Sequence, residues 1–112
     1  MQRFIIEMGM GNDQYGQDYT KAAARAIEDA IRHSAIPMFD AMGIAHSEME
    51  VRVTIGVQKP EAVDCTALAA KLLRGKASVT ATQGGLNVTN PDNGNVLVIA
   101  TAAVEAFLPK QG

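Results

Sequence analysis

NVLVIATAAVEAFL, residues 95–108, decides whether the chain closes with a helix or with another strand. Val96, Ala100, Ala103, Val104 and Phe107 recur at the spacing of one helical face. Taken alone, VLVIA also reads as a strand. On the helical reading the chain ends in a third helix, and the preceding segments fall into place around it. LNVT is a short strand that returns from a turn at Gln83-Gly84-Gly85, and NPDNGN is a surface loop. KASVTAT alternates, with Val79 and Ala81 inward. KPEAVDCTALAAKLLRG reads as a helix capped by Asp64 and ended by Gly75, with Leu68, Leu72 and Leu73 inward.

Glu48 to Gln58 is the cleanest strand: Val51, Val53, Ile55 and Val57 face one way, Glu50, Arg52, Thr54 and Gly56 the other. Arg3 to Met10 also has period 2. Phe4, Ile6, Met8 and Met10 share one side, and Glu7 points away from the main core with Gly9. Asp18 is a good N-cap for the first helix, in which Ala23, Ile27, Ala30 and Ile31 oppose Arg25, Glu28, Asp29 and Arg32. Pro37 ends or bends that helix near Ser34, and a further turn, MFDAM, closes at Gly43. The order is β-α-β-α-β-β-α. It predicts an α/β (α+β) two-layer sandwich, with helices on one face of a four-stranded sheet. The other face would show Glu7, Gly9, Arg52, Thr54, Gly56, Ser78, Thr80 and Thr82, small or polar residues suited to water or to another subunit.

One domain spans residues 1–112, since the chain is too short for two cores. Aromatics are only 4% and Trp is absent, while Gly and Met are plentiful. Such a lean core buries little area per residue, so self-association is expected. A net charge of −2 and the scatter of Lys and Arg argue against nucleic acid or an anionic membrane. A single cysteine, Cys65, suits a reducing cytoplasm. No stretch approaches a membrane span, and the N-terminal apolar run is too short for a signal peptide.

GNDQYGQDYTK, residues 11–21, carries the chemistry. Gly11 and Gly16 are five apart, as in a phosphate-binding loop, but Gly16 is followed by Gln17 and Asp18 instead of Lys and Ser/Thr. The dinucleotide fingerprint fails as well. A glycine-rich turn into a helix still presents N–H groups and partial positive charge to a ligand. Lys21 stands in the first helical turn, where the helix dipole opposes it by about 0.3–1 kcal/mol. Glu7, Asp13, Asp18 or an anionic ligand could compensate it. Turn chemistry accounts for Asn12 and Asp13. It does not account for Gln14, Tyr15 and Gln17 beside them, which points to a polar pocket. Elsewhere the sequence is quieter. His33 and His46 have no partners at metal-ligand spacing, and Cys65 reads as a small core residue. No metal or cofactor is expected.

FIIEMGMGNDQYGQDYTKAAARAIEDAIRHSAIP, VRVTIGVQKPEAVD and VTATQGGLNV resemble the Lin family. These are conserved hypothetical proteins of bacteria and plants, named after a Listeria open reading frame and without an established function. Many members carry His where this chain has Tyr15. GMGNDQYGQDYTK is also similar to one unit of the ring-opening amidohydrolases, cyanuric acid hydrolase and barbiturase. Those enzymes set three units around a central site, which a homotrimer of this chain could imitate. Their Asp-aromatic-Thr-basic ending falls on Asp18, Tyr19, Thr20 and Lys21, and their Gly-Gly turn on Gly84 and Gly85. Their catalytic lysine would fall on Gly9 and their serine near Thr82 or Gln83, so neither half of that pair is present.

The resulting expectation is a cytoplasmic homo-oligomer, trimeric or otherwise, that binds a small polar or anionic metabolite near a subunit boundary. Gly11, Asn12, Asp13, Gln17, Asp18, Thr20 and Lys21 would form the pocket with Gln83, Gly84, Gly85 and Asn87. Glu7 could act as a general base if a neighbouring subunit buried its face. The alternatives are a cyclic-amide hydrolase with a shared site and a non-catalytic assembly or regulatory module.

Overall fold

In a computed structural model of the chain, the described residues are 2–32, 49–72 and 76–108. They form β1 (Gln2–Asp13), α1 (Tyr19–Arg32), β2 (Glu50–Val57), a 3-10 turn (Pro60–Ala62), α2 (Cys65–Lys71), β3 (Lys76–Gln83), β4 (Leu86–Thr89) and β5 (Val96–Leu108). His33, Ser34, Pro37, the MFDAM turn, Gly43, His46, Leu73 and Gly75 lie outside the described residues. The sheet runs β1-β5-β2-β3, with β4 also paired to β5. Both helices cover one side of it, so the two-layer α+β arrangement holds.

The closing segment is a strand, not a helix, and the sheet therefore has five strands instead of four. β5 is the central strand. It pairs antiparallel with β1 along one edge, and with β2 and then β4 along the other. Val98, Ala100, Ala102, Val104, Ala106 and Leu108 form its buried row. The expected helical stripe splits between faces, with Ala103 and Phe107 on the opposite side from Ala100 and Val104. Both faces of β5 carry apolar residues, which erases the period-2 signal, and pairing along both edges outweighs the helical propensity of alanine.

β1 corrects a second expectation. Glu7, Gly9 and Gly11 pair with Val104, Ala102 and Ala100, and so share the helix-covered side. Met8 and Met10 point to the open side and are 75% and 62% exposed. The cause is steric. A Cβ on Gly9 would collide with the backbone of Ala26 and Ala30, and one on Gly11 with that of Ala22 and Ala26. Ala22, Ala23, Ala26 and Ala30 are all fully buried on α1. Helix and strand therefore touch backbone to backbone, which only glycine permits here. Arg52, Thr54, Ser78, Thr80 and Thr82 lie exposed on the open side as expected. Gly56 pairs with Thr101, which puts it on that side too, but it is buried where Gly84 packs against it.

α2 links the parallel pair β2 and β3. Its N-cap is Asp64, whose carboxylate accepts the Ala67 N–H, and Leu68 is its buried anchor. The helix stops at Lys71, with Leu72 extended as its C-cap. Among the described residues, no helix is long and apolar enough to cross a membrane.

Because the α1–β1 contact has no room for a methyl group, Gly11→Ala should lose about 1–3 kcal/mol. Glu28→Ala, at an exposed position of the same helix, should stay within about 0.5 kcal/mol of wild type. Urea denaturation of the two variants checks both values.

Candidate functional site

The turn from β1 into α1 is built from left-handed backbone, with Gly16 at φ 93° and Gln17 at φ 50°. It brings Asp13, the buried last residue of β1, under the start of the helix. Asp13 Oδ2 accepts the Asp18 N–H at 2.9 Å. Asp18 then caps α1 as expected: its Oδ1 accepts the Lys21 N–H at 3.0 Å, and its carbonyl accepts the Ala22 N–H. Two carboxylates thus occupy the positive end of the helix.

Lys21 finds its compensating charge within the chain. Of the three acidic candidates it is Asp13, whose Oδ1 is 3.8 Å from Lys21 Nζ and 3.9 Å from an Arg25 guanidinium nitrogen. Those separations exceed a hydrogen bond. The two cationic side chains are 53% and 47% exposed, against 4% for Asp13. Arg25 also donates to the Asn12 carbonyl at 2.6 Å. Asn12, Asp13, Gln14, Tyr15, Lys21 and Arg25 line a shallow dish of about 340 Å³. Two cations therefore share one buried carboxylate at its wall. Arg25 escaped sequence reasoning, which left it on the solvent face. Its position four residues after Lys21, one turn along the same helix face, is the signal that finds it.

The other expected pocket residues separate. Gly11 is packed beneath α1 and is not open to a ligand. The Thr20 hydroxyl accepts the Asp64 N–H at 2.9 Å and donates to the Ala62 carbonyl, tying α1 to the entrance of α2. Asn87 donates to the Tyr19 hydroxyl at 2.7 Å, which fastens β4 to the start of α1. Gly85, at φ 59°, packs against Ile99 and Gly56. Gln58 donates to the carbonyls of Gly84 and Gly85. Gln17 is exposed at the tip of the turn.

Gln83 and Gly84 line a different feature, a trough of about 560 Å³ on the open sheet side, together with Met8 and Met10. Glu7 is not on that side, so burial of the open face by a neighbour would not enclose it. A lysine at Gly9 would meet Ala26 and Ala30. Thr82, by contrast, points to the open side. Gly9 and Thr82 therefore fall on opposite faces of the sheet, while Gln83 pairs with Val57 at the end of β3. Among the described residues, no three His, Cys, Asp or Glu side chains gather as metal ligands.

A family model described as conserved hypothetical protein (Lin0512_fam) matches residues 3–106. The chain belongs to that family. It is also similar to a crystal structure from Nostoc punctiforme described as an FtsZ-like protein of unknown function. The two are 38% identical over 97% of each chain, with a TM-score of 0.82. Among curated proteins, none matches this chain.

Burial ranks the three charges of the dish. Asp13→Ala should cost about 1.5–3 kcal/mol, because it removes the buried carboxylate that accepts the Asp18 N–H and faces both cations. Lys21→Ala and Arg25→Ala should each cost less than about 1 kcal/mol, as half-exposed ion pairs do. Chemical denaturation of the three variants measures that order.

Proposed function

We propose that this member of the Lin0512 family binds a small metabolite through an anionic group, carboxylate or phosphate, in the dish of Asn12, Asp13, Gln14, Tyr15, Lys21 and Arg25. The observation that carries the reading is that Lys21 and Arg25, both half exposed, converge on the buried carboxylate of Asp13 at the dish wall, each from beyond hydrogen-bond distance. Each cation keeps about half its side-chain surface in solvent. An incoming anion can therefore take outward-facing donors without breaking the Asp18–Asp13 hydrogen bond that holds the turn. Asn12, Gln14 and Tyr15 supply further polar groups at the rim. The role is binding, and no reaction is assigned to the site. The free thiol of Cys65 suits a cytoplasmic setting for it. Gln14 and Tyr15 also border a cleft of about 380 Å³ against the β4–β5 hairpin. A neighbouring subunit seated there would close the rim.

Thermal-shift measurements with succinate, citrate, inorganic phosphate and AMP test the reading. At a ligand concentration 100 times Kd, binding adds about 2.7 kcal/mol of stability. Wild type should then melt several degrees higher, Lys21→Ala and Arg25→Ala should lose most of the shift, and Lys21→Arg should keep it. Equal shifts in all four proteins, or no shift of wild type with any of these anions, would overturn the assignment.

A further inference from the structure

Register fixes what the open side of the sheet presents. Met8 lies opposite Ala103, Met10 opposite Thr101, Leu86 opposite Ile99 and Val88 opposite Leu97. All of these point away from the helices. Among the described residues, Ile6, Met8, Met10, Leu86 and Val88 are the large apolar side chains left exposed there. They amount to on the order of 500 Å² of apolar surface, towards the upper end of the largest patch that a monomer exposes, a size that is often functional. A stable pair takes roughly 800 Å² from each partner, so the small and polar residues between these side chains would be covered with them.

The relief of this face is complementary to itself. Met8 and Met10 stand as a ridge on β1. Beside them runs the trough of about 560 Å³, floored by Thr54, Gly56, Thr101 and Ala103 and bounded on the far side by Thr82 and Gly84. Ridge and trough face the same way, so a two-fold rotation about an axis along β5 lays β1 of one copy over β2 of the other. Each ridge then meets the opposite trough, as an isologous contact requires. Two methionine side chains fit a space of that size, and their flexible thioethers adapt to its floor.

The charges the contact must accommodate are Asp29, which lines the trough and accepts the Met10 N–H, and Glu105, which an axis along β5 sets against its own copy. At the far end of the same face Arg3 is paired with Glu105 at 3.2 Å and Arg52 with Glu50 at 2.8 Å. The Arg52 guanidinium also lies 4.2 Å from the centre of the Phe107 ring. The net charge of the chain is only −2.

We infer that the open sheet face is a self-association surface, occupied by a second copy of this chain, with Met8 and Met10 of each copy seated against Thr54, Gly56, Thr101 and Ala103 of the other. This inference is independent of the anion dish, which lies at the turn into α1.

Light scattering on an eluting size-exclusion peak tests it. Wild type should have twice the 11.9 kDa chain mass. The double variant Met8→Asp/Met10→Asp should run at the single-chain mass with an unchanged circular dichroism spectrum, since both side chains are exposed in the single chain. A second variant, Cys65→Ser/Thr101→Cys, guards against misfolding of the first. It holds a single thiol, on the open side of β5, which the axis sets against its own copy. Sheets stacked face to face lie about 10 Å apart, too far for a disulfide. A bismaleimide spacer of about that length should therefore join two copies on a denaturing gel. Wild type at the single-chain or a threefold mass would overturn the inference. So would a dimer that survives the aspartates, or a cysteine variant that the spacer does not join. A monomer that instead sediments with phosphatidylcholine vesicles would assign the face to lipid and overturn it too.

Discussion

The backbone contact between α1 and β1 is the constraint from which the rest of the molecule follows. The helix presents a stripe of alanines and the strand presents glycines, so the two come closer than ordinary side chains allow. That approach draws Asp13 under the first turn of α1, within reach of the Asp18 amide, Lys21 and Arg25. It also turns the methionines of β1 outward. The polar dish and the apolar open face are thus two results of one packing choice. A core of alanine and glycine gains little from area burial. Stability must then come from close fit, and from whatever covers the outward side.

The edges of the sheet are treated unequally. On β1, α1 supplies a carboxylate and a guanidinium: Asp29 accepts the Met10 N–H, and Arg25 donates to the Asn12 carbonyl. These groups occupy backbone positions that could otherwise pair with a foreign strand. The far end of the open face carries paired charges, and the Arg52 guanidinium, hydrogen-bonded to Glu50, holds that carboxyl below its usual range. The bond is therefore present at neutral pH and is lost as the pH falls through the lowered value. Among the described residues no such device covers the apolar half of the face, where Met8, Met10, Leu86 and Val88 lie in the open.

Much of this was legible in the residues. β2 was clear because its two faces meet different surroundings, the valines inside and Arg52 and Thr54 outside. Asp18 and Asp64 announced their helices because a capping carboxylate has a local partner three residues on. β5 was not legible: a central strand with apolar residues on both faces loses its alternation, and its alanines mimic a helix. The sequence of β1 points the wrong face inward because hydrophobicity directs methionine to the core, and a glycine that makes room for a helix leaves no hydrophobic signal. At the site, the pull of Lys21 on a nearby anion was readable. The choice of Asp13 over Glu7 depended on which face each occupies, and that is a property of the register. Nor does chain order show that Gln83 and Gly84 line the open side of the sheet, away from the loop.

The placement of β1 is open to direct test by nuclear Overhauser spectroscopy on the labelled protein. Cross-peaks are expected from the α-protons of Gly9 and Gly11 to Ala22, Ala26 and Ala30, and none from the Met8 and Met10 methyls to those alanines. Methyl contacts from those methionines to the alanine stripe would contradict it, because the strand would then face the other way and both surfaces derived from it would be lost.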